Sequence, residues 1–346
     1  PAAPTVSYTA EASSAASDVY KRQTSHPDAY QEYLQGRYYW YLRGIRNLYL
    51  AVEHFEQATR LDPSYPDAWA GLSETWALLP IWEQDDSKAP EQLENARLTA
   101  EKALSLNPSS GRAHAALGYM HVLRLEWRES LENFELARNY EPRNAYVWHW
   151  YAFTLMSVGK TAMAEEYYQT ALGLDPLSRI INANYSELAI FTGQYDVALD
   201  RLDQALALAP DFSFVWQLKG LNHAARKEYD LAKEAYQKYF ELAGIKGFEV
   251  KAVDFVETSA QNTNPDQAPD WFSDPKSIDP YHAVFLLVCA GQYEGALDWI
   301  EQRSASNMPH PAAFYLKSDL FQKKMGHIPR FQELVERLIT IELGKD

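Results

Sequence analysis

"GQYDVALDRLDQALALAP", residues 193–210, decides how this chain is to be read. Val197, Ala198, Leu202, Ala205 and Leu208 recur at steps of one, four, three and three. That spacing is one face of a helix, opened after a glycine and stopped by Pro210. The proline has counterparts at Pro176, Pro142 and Pro108, each 34 residues apart, and at Pro63 after a longer step of 45. Five residues before each proline stand Ala58, Ala103, Ala137, Ala171 and Ala205; eight before stand Phe55, Ala100, Phe134, Tyr168 and Leu202. Twelve before stand Ala51, Ala96, Ser130, Ala164 and Ala198. Small residues in fixed columns let two helices approach closely, and the larger ones fill the space between them. The stretch is one copy of a repeated unit.

A 34-residue helix–turn–helix period with this small/large pattern resembles the tetratricopeptide repeat. The resemblance implies an all-α, right-handed superhelical solenoid of about seven to eight helix pairs, whose first helices line a concave groove. Gly118, Ala152 and Ser186, 24 residues before their prolines, continue the small-residue pattern on those first helices.

Residues 1–27 are rich in Ala, Ser and Pro without periodicity and read as a disordered linker. The repeat array occupies 28–243, in about six helix pairs. Ser110, Asn144 and Ser178, two residues past a proline, are placed to cap helices. Residues 244–280 combine a degenerate repeat with a breaker-rich loop, "QNTNPDQAPDWFSDPKSIDP". Residues 281–346 hold further helix pairs and a cap: Tyr281–Ala290 with "GQYEGALDWIEQ", then Pro311–Lys324 with Arg330–Glu342. The 11 extra residues of the long step fall in "LLPIWEQDDSKAP", 78–90, which reads as a loop between two helices. It serves either as a ligand-contacting insertion or as a surface loop, and the small cost of long surface insertions favours the latter.

The formal net charge of −15 repels phosphate backbones, so no nucleic-acid binding is expected of this segment. The single Cys289 excludes an intramolecular disulfide framework. No apolar run approaches the ~20 residues that span a bilayer. The chain begins at Pro1 without Met, so its natural start is expected upstream. Localisation stays open: cytoplasmic, or periplasmic with an upstream membrane span.

No phosphate loop, nucleophile elbow, HExxH or paired-cysteine motif occurs, and neither a metal, a cofactor nor catalysis is expected. His114 and His121 lie seven apart on one helix, about 10 Å along its axis and too far to share a metal. Both fall on packing columns. His54, His223 and His282 have no acidic or His partner at helical spacing. Glu165-Glu166 and Asp85-Asp86 are adjacent, so on a helix their side chains diverge.

"DAYQEYLQGRYYW", "AVEHFEQATRLDPSYPDAWAGLSETWALL", "VWHWYAFTL", "LDPLSRIINANYSELAIFTGQYDVAL" and "IPRFQELVERL" resemble the C-terminal repeat region of bacterial TolB-like/winged-helix transcriptional regulators and class III adenylate/guanylate cyclases. This implies a protein-interaction or ligand-sensing module attached to an output domain. The alternative is a stand-alone assembly scaffold in envelope or complex biogenesis. Helical phase turns Arg112, Tyr119, Tyr146, His149, Trp150, Phe153, Asn184 and Glu187 toward the groove, an aromatic floor suited to a protein or peptide partner or a small amphipathic ligand. The carboxylate clamp of some tetratricopeptide repeats is not matched, because its Lys and Asn columns hold Ala, His, Gln and Tyr, Phe, Glu, Leu. The same aromatics equally suit packing between helices, which leaves groove and core both open.

Overall fold

The computed structural model describes residues 24–83, 85–243, 253–254, 256–258, 280–304 and 311–339. Most of the expected linker (1–23) and most of the expected 244–280 loop lie outside them. Among the described residues there is no strand, and the helices come in successive pairs. These are α1 (Pro27–Leu42) and α2 (Ile45–Leu61), α3 (Pro66–Trp82) and α4 (Ala89–Leu106), α5 (Gly111–Leu123) and α6 (Trp127–Tyr140). They continue with α7 (Ala145–Ser157) and α8 (Thr161–Leu174), α9 (Arg179–Phe191) and α10 (Tyr195–Leu208), α11 (Ser213–Ala225) and α12 (Tyr229–Ala243). A further pair is α13 (Pro280–Ala290) and α14 (Tyr293–Ser304). A 3₁₀ turn, Pro311–Tyr315, then precedes α15 (Asp319–Met325) and α16 (Pro329–Leu338). The chain forms two compact units, one of residues up to Met120 with Asn139–Glu141, the other of His121–Arg138 and everything from Pro142.

The repeat columns are the packing surfaces. Ala58, Ala103, Ala137, Ala171 and Ala205 are fully buried, as are Phe55, Ala100, Phe134, Tyr168 and Leu202. In the first unit Phe55 lies between glycines of two different helices. A Cβ added to Gly36 of α1 or Gly71 of α3 would come within 2.7 or 2.6 Å of its ring. Gly220 of α11 faces the Tyr236 ring at 2.8 Å in the same sense. Each large side chain thus fills the gap that a small one opposite leaves.

Two kinds of turn recur with the period. Within pairs, the N–H of Glu126, Lys160, Gln194 and Glu228 donates back to the carbonyl of His121, Leu155, Ala189 and His223, at 2.9, 2.8, 2.7 and 2.9 Å. The residue before each donor is left-handed: Leu125 (φ 58), Gly159 (φ 82), Gly193 (φ 77) and Lys227 (φ 64). This is a six-to-one helix C-cap, which satisfies carbonyls that the helix end leaves open. Between pairs, the residue six past the repeat proline closes the turn. The indole N–H groups of Trp69, Trp148 and Trp216 donate to the carbonyls of Pro63, Pro142 and Pro210 at 3.0, 2.7 and 3.0 Å. The Asn182 amide donates to the Pro176 carbonyl at 3.3 Å.

Several sequence expectations are corrected. Residues 78–90 are mainly helical: α3 and α4 lengthen to 17 and 18 residues, and the connection keeps a short 3₁₀ turn at Asp86–Lys88. Pro80 is tolerated because it sits in the last turn of α3, where one lost hydrogen bond leaves the helix intact. The connection is also tied back to α2, since the Tyr49 hydroxyl donates to Glu83 at 2.8 Å and Lys88 pairs with Glu83 at 3.0 Å. Ser110 and Asn144 accept hydrogen bonds from Ala113 and Tyr146 N–H, but Ser178 makes no capping bond. Its hydroxyl lies 3.3 Å from the Tyr146 hydroxyl instead. Pro311–Lys324 is not one helix; Leu316–Ser318 break it, with Ser318 capping α15 and Gln322 donating to the Leu316 carbonyl at 2.8 Å. Thr24 and His26, inside the stretch expected as linker, are held by the fold: the Thr24 hydroxyl donates to Asp62, and His26 caps α1.

Candidate functional site

The eight residues expected along the groove divide between the units, Arg112 and Tyr119 in the first and the remainder in the second. In the first unit, α1, α3 and α5 contribute Arg37, Glu74 and Arg112 to one buried ionic cluster. Arg112 donates from Nε to Glu74 Oε1 at 3.1 Å, from Nη2 to Oε2, and from Nη1 to the Tyr33 hydroxyl at 2.7 Å. Arg37 reaches the same carboxylate at 2.8 Å and the Tyr41 hydroxyl at 2.8 Å. Burial by itself would raise the Glu74 carboxyl; the guanidiniums of Arg112 and Arg37 overcome it and hold it below the usual carboxylate range. Burial works against the Arg112 cation, and Glu74 more than restores it. The cluster ties three successive first helices together, with the Arg112 fork engaged by Glu74. Tyr119 is buried. The sequence reading missed Glu74, although an acidic residue inside the otherwise apolar "AWAGLSETWALLP" was a visible signal.

In the second unit, His149 and Trp150 are only 1% and 2% exposed, and Tyr146, Phe153 and Glu187 are buried as well. Asn184 is half-buried. Its Nδ2 lies 2.9 Å from His149 Nε2, so adjacent pairs are joined by a polar contact on their first helices. The Tyr146 ring meets His149 edge-on at 6.1 Å. The structure therefore brings together Tyr146, His149 and Asn184, with Trp150 behind them in the core.

Phe153 has a partner from far along the chain. Its ring meets Phe314 at 5.5 Å and Tyr315 at 6.5 Å, both nearly perpendicular. Tyr315 stacks on Phe191 of α9 at 4.2 Å with 16° between planes. Phe314 meets Trp127 of α6 edge-on at 6.4 Å, and the Trp127 indole N–H donates to the Leu338 carbonyl at 2.8 Å. Trp127, Phe153 and Phe191, from three successive repeats, form a cradle on the second unit that holds the 3₁₀ turn of the chain's own C-terminal segment.

Three of the histidines have acidic partners, at spacings other than helical. His121 Nδ1 lies 2.6 Å from Glu126 and His223 Nδ1 lies 2.7 Å from Glu228, each across the left-handed turn that brings residues five apart together. His54 pairs with Glu32 of the preceding helix at 2.7 Å. The hydrogen bond from His223, aided by Arg226, lowers the Glu228 carboxyl. His114 stacks on Tyr140 at 5.7 Å, and the His282 side chain lies outside the described residues. Among the described residues no group of three His, Cys, Asp or Glu could hold a metal ion, and no helix is long and apolar enough to cross a membrane.

A family model described as tetratricopeptide repeat matches residues 145–176, which is the α7–α8 pair. One helix pair of the chain, α7–α8, is thus matched as a tetratricopeptide repeat. Superkiller protein 3 of Schizosaccharomyces pombe is 24% identical over 221 residues, 64% of this chain and 15% of that protein. The heat-shock protein cognate (HSC) co-chaperone sgt12 of Aspergillus fumigatus is 33% identical over 100 residues, 27% of this chain and 29% of that one. The chain thus spans well under half the length of these relatives. Among solved structures, the APC/C hetero-tetramer Cut9–Hcn1 aligns with a TM-score of 0.52 and 17% identity, over 68% of this chain and 44% of that one. That likeness shows the fold, an all-α tetratricopeptide solenoid.

Proposed function

We propose that this chain is the peptide-recognising module of a bacterial regulatory protein and binds its partner on the first helices of its repeats. The regulatory setting rests on the likeness of "DAYQEYLQGRYYW" and "LDPLSRIINANYSELAIFTGQYDVAL" to the repeat region of TolB-like/winged-helix regulators and class III cyclases. The observation that carries the recognition mode is the cradle in which Phe153 and Phe191 of the first helices α7 and α9, joined by Trp127 of the second helix α6, accommodate a peptide turn through aromatic packing. On the same helices, α7 and α9, Tyr146, His149, Asn184 and Glu187 supply polar groups that would fix a peptide's direction, and Trp150 is buried in the core. In the first unit Arg112 and Tyr119 belong to the same recognising helices.

Peptides selected from a displayed library against the whole chain test this reading. They should lose affinity for Tyr146→Phe and Asn184→Ala by about ten-fold or more while the melting temperature stays near wild type, because neither change empties the core, as expected of contacts near a binding anchor. Failure to select any peptide, or equal binding to both variants, would overturn it.

A further inference from the structure

The cradle is an interaction surface already filled by a segment whose chemistry describes what it accepts. The occupant is a short 3₁₀ turn presenting two adjacent rings, Phe314 and Tyr315, on consecutive positions. It presents them to three aromatic side chains drawn from three successive repeats, not to one neighbouring helix. The segment around it is basic: Lys317, Lys323 and Lys324 stand against Asp319 alone, in a chain of net charge −15. An aromatic pair followed by lysines thus meets the cradle through its rings and carries the sign opposite to the chain's net charge of −15. Nor is the fit confined to the rings. A Cβ placed on Gly159, in the turn after α7, would come within 3.0 Å of Lys317, so backbone and segment run in close apposition there.

We propose that the Trp127–Phe153–Phe191 cradle is a docking site for basic peptides bearing an adjacent aromatic pair, and that the chain's own Phe314-Tyr315 turn occupies it in cis as an autoinhibitory ligand. The proposal rests on the peptide-recognition reading above and names the partner chemistry and the control. A tethered occupant competes at an effective concentration of about millimolar, so an occupant of micromolar intrinsic affinity closes the site to a partner on the order of a thousand-fold. A partner then gains access either by binding more tightly or by acting after the C-terminal segment has been drawn away.

The experiment uses the full chain and a fluorescein-labelled synthetic peptide of residues 311–325, read by fluorescence anisotropy. Phe314→Ala/Tyr315→Ala vacates the cradle in cis and should bind the peptide at least about ten-fold more tightly than wild type, given that tethered competition. Adding Phe153→Ala should then weaken it about thirty-fold, the scale of an aromatic hot spot. A peptide with alanine in place of both rings should not bind. Equal binding to wild type and vacated chain, or no binding to a folded vacated chain, would overturn the proposal. Tyr315→Ala alone repeats the test with a smaller cavity. Unfolding of both variants would also overturn it, because the segment would then be part of the core and not a displaceable ligand. Library peptides that depend on Tyr146 while the 311–325 peptide fails would leave the recognition reading standing and remove only this inference.

Discussion

Glu74 is the residue on which the first unit most depends. Its carboxylate is 2% exposed as a residue and answers two guanidiniums from neighbouring repeats. Removing one member of a buried ion pair leaves an uncompensated charge, and Glu74→Ala should lower stability by about 3–5 kcal/mol. Denaturant unfolding of the variant beside wild type measures this, and a loss within experimental error would reduce the cluster to an incidental contact. The pH dependence follows from the same geometry. Arg112 and Arg37 lower the folded-state pKa of Glu74 below its unfolded value. The stabilisation is therefore fully present above the unfolded pKa, about 4.3, and is lost as pH falls through the depressed folded value. A titration of stability should show this acid loss in wild type and a smaller one in Glu74→Gln. Cys289 offers a second check at this scale. Burial pushes its thiol up to about 12. Its reaction with a disulfide reagent near neutral pH should accordingly be slower than that of a free cysteine, which has a pKa of about 8.5, and guanidinium should release it.

At the level of helices and turns, close packing of unequal residues sets the spacing. Gly71→Ala puts a methyl group on the Phe55 ring, and Gly36 on the other side leaves that ring little room to retreat. The expected cost is about 1–3 kcal/mol of overpacking. Gly193→Ala isolates the other effect: no atom lies within 4 Å of the new Cβ, and only the φ of 77° is unfavourable. It should cost about 1–2 kcal/mol, the penalty of a left-handed residue with a side chain. If thermal denaturation ranks a phenylalanine-facing Gly71→Ala as harmless, the packing account fails. These elements were readable in sequence because the same physical demand recurs at a fixed spacing. The alanine columns and the glycine turns repeat, and the eye finds them. The insertion was misread because Pro80 and Asp85-Asp86 are breakers by type, whereas at a helix end a proline costs little. The His–Glu pairs escaped because five residues is no helical interval; only the left-handed turn between them makes it one. For the candidate site, helical phase singled out Phe153 on α7, but no periodic signal could link it to Phe314. A contact made once, between positions 161 apart, leaves no repeat to recognise.

The whole molecule combines two ways of holding helices together. Its net charge of −15 gives the segment little attraction for a phosphate backbone, and at physiological salt it should not retain DNA or RNA in a filter or gel-shift assay. Micromolar, salt-sensitive retention would refute that. The last expectation concerns how the two compact units unfold. Repeat arrays are stabilised by intrinsic terms plus nearest-neighbour interfaces, so unfolding can proceed region by region. The first unit follows that rule, with the Arg37–Glu74–Arg112 cluster linking successive first helices. The second departs from it, because the C-terminal segment joins α6, α7 and α9 through contacts such as Trp127 to Leu338, 211 residues apart. A cross-connection of that kind penalises partial opening and should make the second unit the more cooperative of the two. Hydrogen exchange followed by mass spectrometry across a denaturant series should therefore show at least two opening free energies, graded within residues 27–120 and more uniform within 142–225. Acid should lower the first set through Glu74, and less so in Glu74→Gln. Phe314→Ala/Tyr315→Ala should remove the uniformity of the second set and leave the first unmoved. One coincident transition for all segments, insensitive to either change, would mean that the units do not unfold by the separate couplings seen here.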